Sequence, residues 1–285
     1  MTAALGQVAQ LGALLARELD FSDQDFRRIA TLIYRRAGIV LAGHKRQMVY
    51  ARLARRVKQH GFARFADYID FLEGSPGTDE WQEFTNALTT NLTAFFRESH
   101  HFPLLRQHLA GRRGPIRIWC CAASTGEEPY SIAMVLREAL GEGADARILA
   151  TDIDTGALAS ARRGIYPLSR LAKVEEQRIK RFFLKGRGPM EGSARVSPEL
   201  AAMVKFAPLN LIDPRWPVRG PFDAIFCRNV MIYFDKPTQA GILSRFAPLL
   251  KPDGLLFAGH SENFSYISDN FRLRGQTVYG LGGQR

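Results

Sequence analysis

Apolar residues recur at helical spacing over the first third of the chain and gather into short unbroken runs over the rest. Phe26, Ile29, Ile33 and Tyr34 share one helical face, as do Met48, Leu53 and Val57, and then Trp81, Phe84 and Leu88. Ser22-Asp23-Gln24-Asp25 offers a helix start, and Gly38, Gly43, Gly61 and the Gly74-Ser75-Pro76-Gly77 cluster punctuate the series. Residues 1–17 read as a further amphipathic helix without the basic leader of a signal peptide. This pattern predicts an all-helical N-terminal domain over residues 1–88. From residue 116 onward the runs 116–123, 146–150, 204–212 and 222–233 have strand character. Residues 249–257 read as a helix end, a turn and a fifth strand, and 277–281 as a last short one. Strands alternating with helical stretches predict an α/β, doubly wound domain over 89–285. Residues 166–203 interrupt it, and their Gly-rich second half predicts a small antiparallel β insertion at about 182–204.

The chemistry gathers around residues 116–133. A strand there breaks at Ser124-Thr125-Gly126 and restarts as a helix with Glu127, Glu128 and Pro129 in its first turn. Such a turn is where doubly wound folds hold a nucleotide-like ligand. Two carboxylates directly after it would repel a pyrophosphate, so the pattern favours an adenosine-bearing cation such as S-adenosyl-L-methionine. Asp152 ends the second strand and is placed as a ribose clamp, with Asp154 capping the next helix or the two exchanging roles. Asn210 and Arg228-Asn229 stand at two further strand ends, so four strand ends agree. The segment 86–97, with three Thr, two Asn and paired Phe, has neither helical nor strand period and reads as a binding segment.

Charge adds a second theme. The 285 residues carry a formal net charge of +11, and between Arg27 and Arg64 eleven Lys or Arg stand without one Asp or Glu. Arg52, Arg55, Arg56 and Lys58 fall close enough in period to gather on one side of a helix, which suggests an acidic partner, protein or nucleic acid. Three cysteines, two adjacent (Cys120, Cys121), make neither a disulfide framework nor a metal pattern, and a cytoplasmic protein is expected. The six histidines show no metal spacing and no metal is expected; they read as surface or core residues.

The strings A-A-S-T-G-E-E-P-Y-S, C-R-N-V-M-I-Y-F, L-L-K-P-D-G-L-L-F-A-G-H-S-E-N and N-L-T-A-F-F-R resemble the chemotaxis receptor methyltransferases, the CheR family, over nearly the whole chain. The resemblance implies methylation of glutamate side chains on bacterial chemoreceptors from S-adenosyl-L-methionine, giving glutamate methyl esters and S-adenosyl-L-homocysteine for adaptation. It implies cofactor contacts at Asn91, Thr93, Arg97, Glu128, Asp152, Asn210, Leu211, Arg228 and Asn229, with Arg97 and Tyr233 nearest the transferred methyl group. It also implies that Arg52, Arg55, Arg56 and Lys58 face the receptor's cytoplasmic methylation helices. Gly186, Gly188 and Arg195 would grip a receptor's C-terminal tail peptide, although Ser197 stands where the family pattern is basic. A monomer that meets the membrane only through its receptor is expected.

The chemistry asks little of such a site. A glutamate side chain, with a pKa near 4.3, is already a carboxylate at neutral pH, so no general base is required and none is evident. Alignment and exclusion of water remain as the site's tasks, and Arg97 and Tyr233 suit positioning. The competing reading is an RNA or DNA methyltransferase whose basic domain binds phosphates. Against nucleic acid, Arg228-Asn229-Val230-Met231 lacks the Asn-Pro-Pro-aromatic string that holds a flipped base.

Overall fold

The computed structural model describes residues 19–282, so the helix expected over residues 1–17 lies outside the described residues. The chain divides into two compact units, one up to Thr90 and one from Asn91. The first is helical: α1 (Asp23–Ala37), α2 (Arg46–Gln59), α3 (Phe65–Gly74) and α4 (Glu80–Leu88). Ser22 opens α1 with a reciprocal capping box. Its hydroxyl accepts from Asp25 N while the Asp25 carboxylate accepts from Ser22 N at 2.8 Å. Gly38, at a φ of 71°, closes the helix in the left-handed conformation that glycine adopts most readily. Phe26, Ile29 and Ile33 are buried as the spacing predicts, while Tyr34 stays largely exposed. In α2 the inward positions are Val49, Leu53 and Val57, so the buried stripe runs through Val49 and not the expected Met48.

The second unit runs α5 (His101–Leu109), β1 (Ile116–Cys120), α6 (Glu127–Leu140), β2 (Ala146–Asp152), α7 (Thr155–Arg163), β3 (Ile165–Pro167), α8 (Glu176–Phe182), β4 (Phe183–Lys185), β5 (Ser193–Val196), α9 (Pro198–Ala201), β6 (Val204–Pro208), β7 (Phe222–Cys227), α10 (Lys236–Phe246), β8 (Leu250–Ala258), β9 (Phe271–Gly275) and β10 (Val278–Leu281). Seven strands form one sheet in the order β6-β2-β1-β7-β8-β10-β9, parallel except where β10 joins. Both faces are covered. Ile118, Cys120, Ala224 and Phe226 belong to one apolar cluster; Trp119, Cys121, Ile225 and Cys227 belong to the other. Burial on both faces is why these strands read as unbroken apolar runs without alternation. The chain leaves β1 toward β2 and β6 on one side, and β7 and β8 lie on the other. The carboxyl ends of β1, β2, β6 and β7 therefore share one rim, the place where open α/β sheets bind ligands.

Several boundaries move. The run 204–212 pairs only as far as Pro208, because Leu209 N bonds Asp152 O and the chain then turns at Asn210. The expected turn at Lys251-Pro252-Asp253-Gly254 is an irregularity inside one strand, β8, where the register against β7 jumps between Leu250 and Leu255. Nothing in the residue pattern marks β9, an edge strand with only Phe271 buried. The antiparallel insertion starts at Ile165, not at about 182: β3 pairs with β5, which pairs with β4. Three-residue strands are too short to display a period. Ser197 is buried there and its hydroxyl accepts from Leu200 N, capping α9, a role that a basic side chain could not fill. No helix among the described residues is long and apolar enough to cross a membrane.

Candidate active site at the strand ends

Backbone conformation marks the site before side chains do. Among the described residues, six non-glycine positions have positive φ, and four of them, Phe96, Glu98, Ser124 and Asn229, lie on the strand-end rim or the segment leading to it. Left-handed backbone at such residues carries a cost and gathers at functional sites. Two glycines here are required by close approach. A Cβ on Gly126 would meet Tyr166 Oη at 2.7 Å and Ala161 Cβ at 2.9 Å, and one on Gly259 would meet Asn229 Nδ2. Gly126 therefore serves the packing of the turn.

At the end of β2, the Asp152 carboxylate accepts from Ser124 N at 2.7 Å and from Asp154 N at 2.9 Å. These bonds tie it to the turn after β1. Burial, partly opposed by the amide donors, raises its carboxyl to about 6. Asp154 is the N-cap of α7, accepting from Ala157 N at 2.8 Å, which gives the capping role to Asp154 and not to Asp152. The segment after Thr90 is fastened to this corner. Asn91 Nδ2 donates to Asp154 at 2.6 Å, and Ser124 Oγ meets Asn91 Oδ1 at 3.1 Å. The Thr93 carbonyl accepts from Arg170, and the Arg97 guanidinium donates to the Leu92 carbonyl at 2.7 Å.

The electrostatic centre is Arg228, buried just past β7. Its Nη1 is 2.5 Å from Glu128 Oε2, its Nη2 3.1 Å from Glu98 Oε2, and Nη2 also donates to the Arg97 carbonyl at 2.6 Å. Burial lowers the guanidinium pKa, but the two carboxylates outweigh it and keep Arg228 charged. Glu98 also accepts from Asn229 Nδ2 at 3.1 Å and lies 3.0 Å from His260 Nδ1. Although burial pushes upward, His260, Arg228 and Asn229 hold its carboxyl down to about 2. Two carboxylates thus share one buried cation. The loop that carries Arg228 and Asn229 is held by Glu262, whose carboxylate accepts from the backbone N of Asn229, Val230, Met231 and Gly259. Tyr233 ends the short helical turn Met231–Tyr233, half-buried, and among the described residues its hydroxyl meets no partner.

The expected cofactor residues fall into two bonded groups, Asn91 with Asp152 through Ser124, and Glu128 with Arg228 and, through Glu98, Asn229, while Thr93 and Arg97 lie on the segment that carries Asn91 and Glu98. Asn210 and Leu211 follow β6 in a turn that Asn210 braces, accepting from Ile212 N. Glu98 and Glu262 were missed. Glu98 stands one residue beyond the string N-L-T-A-F-F-R, and Glu262 sits inside S-E-N, where its apolar surroundings were not foreseeable. Glu127, next to Glu128, points elsewhere: it accepts from Thr125 Oγ1 at 2.6 Å and pairs with Arg170.

The residues expected to meet a receptor are divided. Arg52 donates to the carbonyls of Leu88 and Thr89 at the end of α4, and Arg56 pairs with the buried Glu80. Both are committed within the helical unit, so the expectation of one displayed basic face narrows to exposed Arg55, with half-buried Lys58 beside it. Arg195 is exposed on β5, the middle strand of the small sheet. Gly186 makes the β4–β5 turn possible, since a Cβ would strike the Met190 carbonyl, and Gly188 takes a φ of 55° in open space.

Comparison with known proteins bears on this geometry. The model of the CheR methyltransferase SAM-binding domain matches residues 91–280, and that of the CheR methyltransferase all-alpha domain matches residues 24–89. The chain is 61% identical over 270 residues to the chemotaxis protein methyltransferase of Klebsiella aerogenes, covering 94% of this chain and 93% of that one. It is 58% identical to the Escherichia coli protein of that name over 99% of both chains. The chemotaxis protein methyltransferase 2 of Pseudomonas aeruginosa is 54% identical over 92% of this chain and 95% of its own. A doubly wound unit with a carboxylate-rich rim, preceded by a helical unit, is thus accompanied by matches along both: the chain belongs to the CheR methyltransferase family.

Proposed function

We propose that the chain methylates glutamate side chains on the cytoplasmic helices of chemoreceptors, using S-adenosylmethionine as donor. The observation that carries the donor is the rim itself, where Glu98 and Glu128 outnumber Arg228 and Asp152 ends the neighbouring strand. Such a set suits an adenosine-bearing cation and is ill suited to a polyphosphate. Asp152 would accept the ribose hydroxyls, and Asn91, Thr93, Asn210, Leu211 and Asn229 would line the rest. Glu128 and Arg228 would frame the charged end. The donor supplies a sulfonium methyl group and leaves as neutral S-adenosylhomocysteine.

The protein's own task is alignment. Arg97 lies on the anchored segment, its guanidinium held by one bond to the Leu92 carbonyl, with donors remaining for a substrate carboxylate. Tyr233 brings an uncommitted hydroxyl from the loop that Glu262 fixes. Neither needs to gain or lose a proton, because the incoming glutamate is already ionised. Receptor recognition is assigned to the helical unit through Arg55 and Lys58, and tail binding to the small sheet through Arg195, with Gly186 and Gly188 shaping its turn.

The test offers purified protein and methyl-tritiated S-adenosylmethionine to receptor-containing membranes and to total RNA in parallel. Label on receptor, released as methanol by mild alkali, is expected for a glutamate ester. Alkali-stable label on RNA, with none on protein, would overturn the reading.

A further inference from the structure

His101 opens α5 fully buried, and its two ring nitrogens have unlike surroundings. Nε2 lies 3.0 Å from the Gln276 carbonyl and 3.1 Å from Thr277 Oγ1. A carbonyl only accepts, so Nε2 carries the hydrogen and Nδ1 presents its lone pair. Among the described residues that nitrogen has no hydrogen-bond partner, and it lies 3.9 Å from Glu98 Oε2. Among the described residues Oε2 itself has the Arg228 ion pair but no aligned hydrogen bond. Two buried electron-pair donors therefore lie near one another with no hydrogen between them. The exposed His100 adds a third, and one ligand atom from each of Glu98, His100 and His101 falls within 4.8 Å of the others.

We propose that Glu98, His100 and His101 bind a divalent transition-metal ion of the Zn²⁺ class. Two imidazoles and one carboxylate are a donor set for zinc and not for calcium or magnesium, which prefer oxygen. Metal–ligand bonds of about 2.0–2.2 Å bring tetrahedral neighbours to roughly 3.3–3.6 Å, so the 3.9 Å pair closes by about half an ångström. The Gln276 carbonyl bonded to Nε2 fixes ring orientation and tautomer, the usual arrangement behind a metal-bound histidine. Arg228 does not forbid the cation, because Glu128 takes up its charge at 2.5 Å and leaves the Glu98 carboxylate in surplus. No metal spacing is legible along the chain, since the lone pair becomes available only through the fold. One consequence rests on the proposed function: a metal on Glu98 loosens its hold on Arg228 and Asn229 and lowers methyl transfer.

The test reads binding directly, so its failure is distinct from failure of the methylation reading. Full-length protein in a non-chelating buffer is titrated with Zn²⁺ by calorimetry and with Co²⁺ by visible absorption. One saturable equivalent with cobalt ligand-field bands is expected. His100→Ala spares the core, because His100 is exposed, and is expected to weaken binding at least about tenfold. His44→Ala, a substitution in the helical unit, is expected to change nothing. Absence of saturable binding, or unaltered affinity in His100→Ala, would overturn the proposal.

Discussion

Each unit buries an ionic cluster, and the two clusters are balanced in opposite ways. In the helical unit one carboxylate, Glu80, is surrounded by donors: Arg56 Nε at 3.0 Å, His60 Nε2 at 2.8 Å and Tyr68 Oη at 2.7 Å. Burial pushes the Glu80 carboxyl up, but these donors prevail and hold it below its ordinary range. At the strand ends of the α/β unit one cation, Arg228, faces two carboxylates, and a third carboxyl at Asp152 is raised to about 6 by burial. The first cluster is complete and serves folding. The second retains negative charge without a matching cation, which is costly to keep unless a ligand uses it. The arginines of a basic chain are thus not one population, and net charge alone does not show which of them meet a partner.

Replacing Arg228 should have the largest effect. Arg228→Ala leaves Glu98 and Glu128 buried together without their cation, a loss of about 3–5 kcal/mol, or on the order of 10²–10⁴-fold in donor affinity. Arg228→Lys is expected to rescue little, because one ammonium cannot span both carboxylates and the Arg97 carbonyl. Calorimetric affinity for S-adenosylhomocysteine checks both, and near-normal binding by either would place the surplus charge outside the site. Arg56→Ala should come next, costing roughly 2–4 kcal/mol of stability in urea unfolding of the full chain, with donor affinity unchanged. A drop in affinity there would dissolve the contrast between a folding cluster and a ligand cluster.

Asp152→Ala is expected to weaken the donor about 10–100-fold, the worth of a charge-assisted hydrogen bond. With its carboxyl at about 6, Asp152 is mostly ionised at neutral pH and loses the charged acceptor as pH falls through that value. Wild-type affinity should therefore fall from pH 7 to pH 5, while the alanine variant stays flat. Stability moves oppositely. A carboxyl raised above its unfolded value near 3.9 takes its proton more readily in the fold, so its contribution grows as pH falls from about 6 to 4. The smallest effect is expected for Arg55→Glu, within about 0.5 kcal/mol in stability and unchanged in donor affinity, yet lowering receptor methylation. Methylation at the wild-type rate would move the receptor surface away from α2.

Much of the candidate site was legible because its residues stand at strand ends. An apolar run followed at once by Glu128, Asp152 or Arg228 announces a buried strand and the rim beyond it. What could not be read depended on burial of particular polar atoms. Arg52 and Arg56 share a periodic face with Arg55, but only the fold reveals that Leu88, Thr89 and Glu80 claim them. Glu262 looks like any loop acid until four amide groups converge on it. The β insertion was placed too late in the chain because Ile165–Pro167 is too short to show alternation. Likewise β9 escaped because its pattern is that of an exposed segment.

The central claim is that this rim aligns two charged partners and performs no proton transfer. Its most direct test is the pH dependence of single-turnover methyl transfer to receptor, with the donor saturating at every pH. A rate that is level from about pH 6.5 to 9 is expected, because the substrate glutamate, Glu98 and Asp152 are all largely ionised across that range. A tenfold rise per pH unit through the middle of the range would reveal a general base and contradict it.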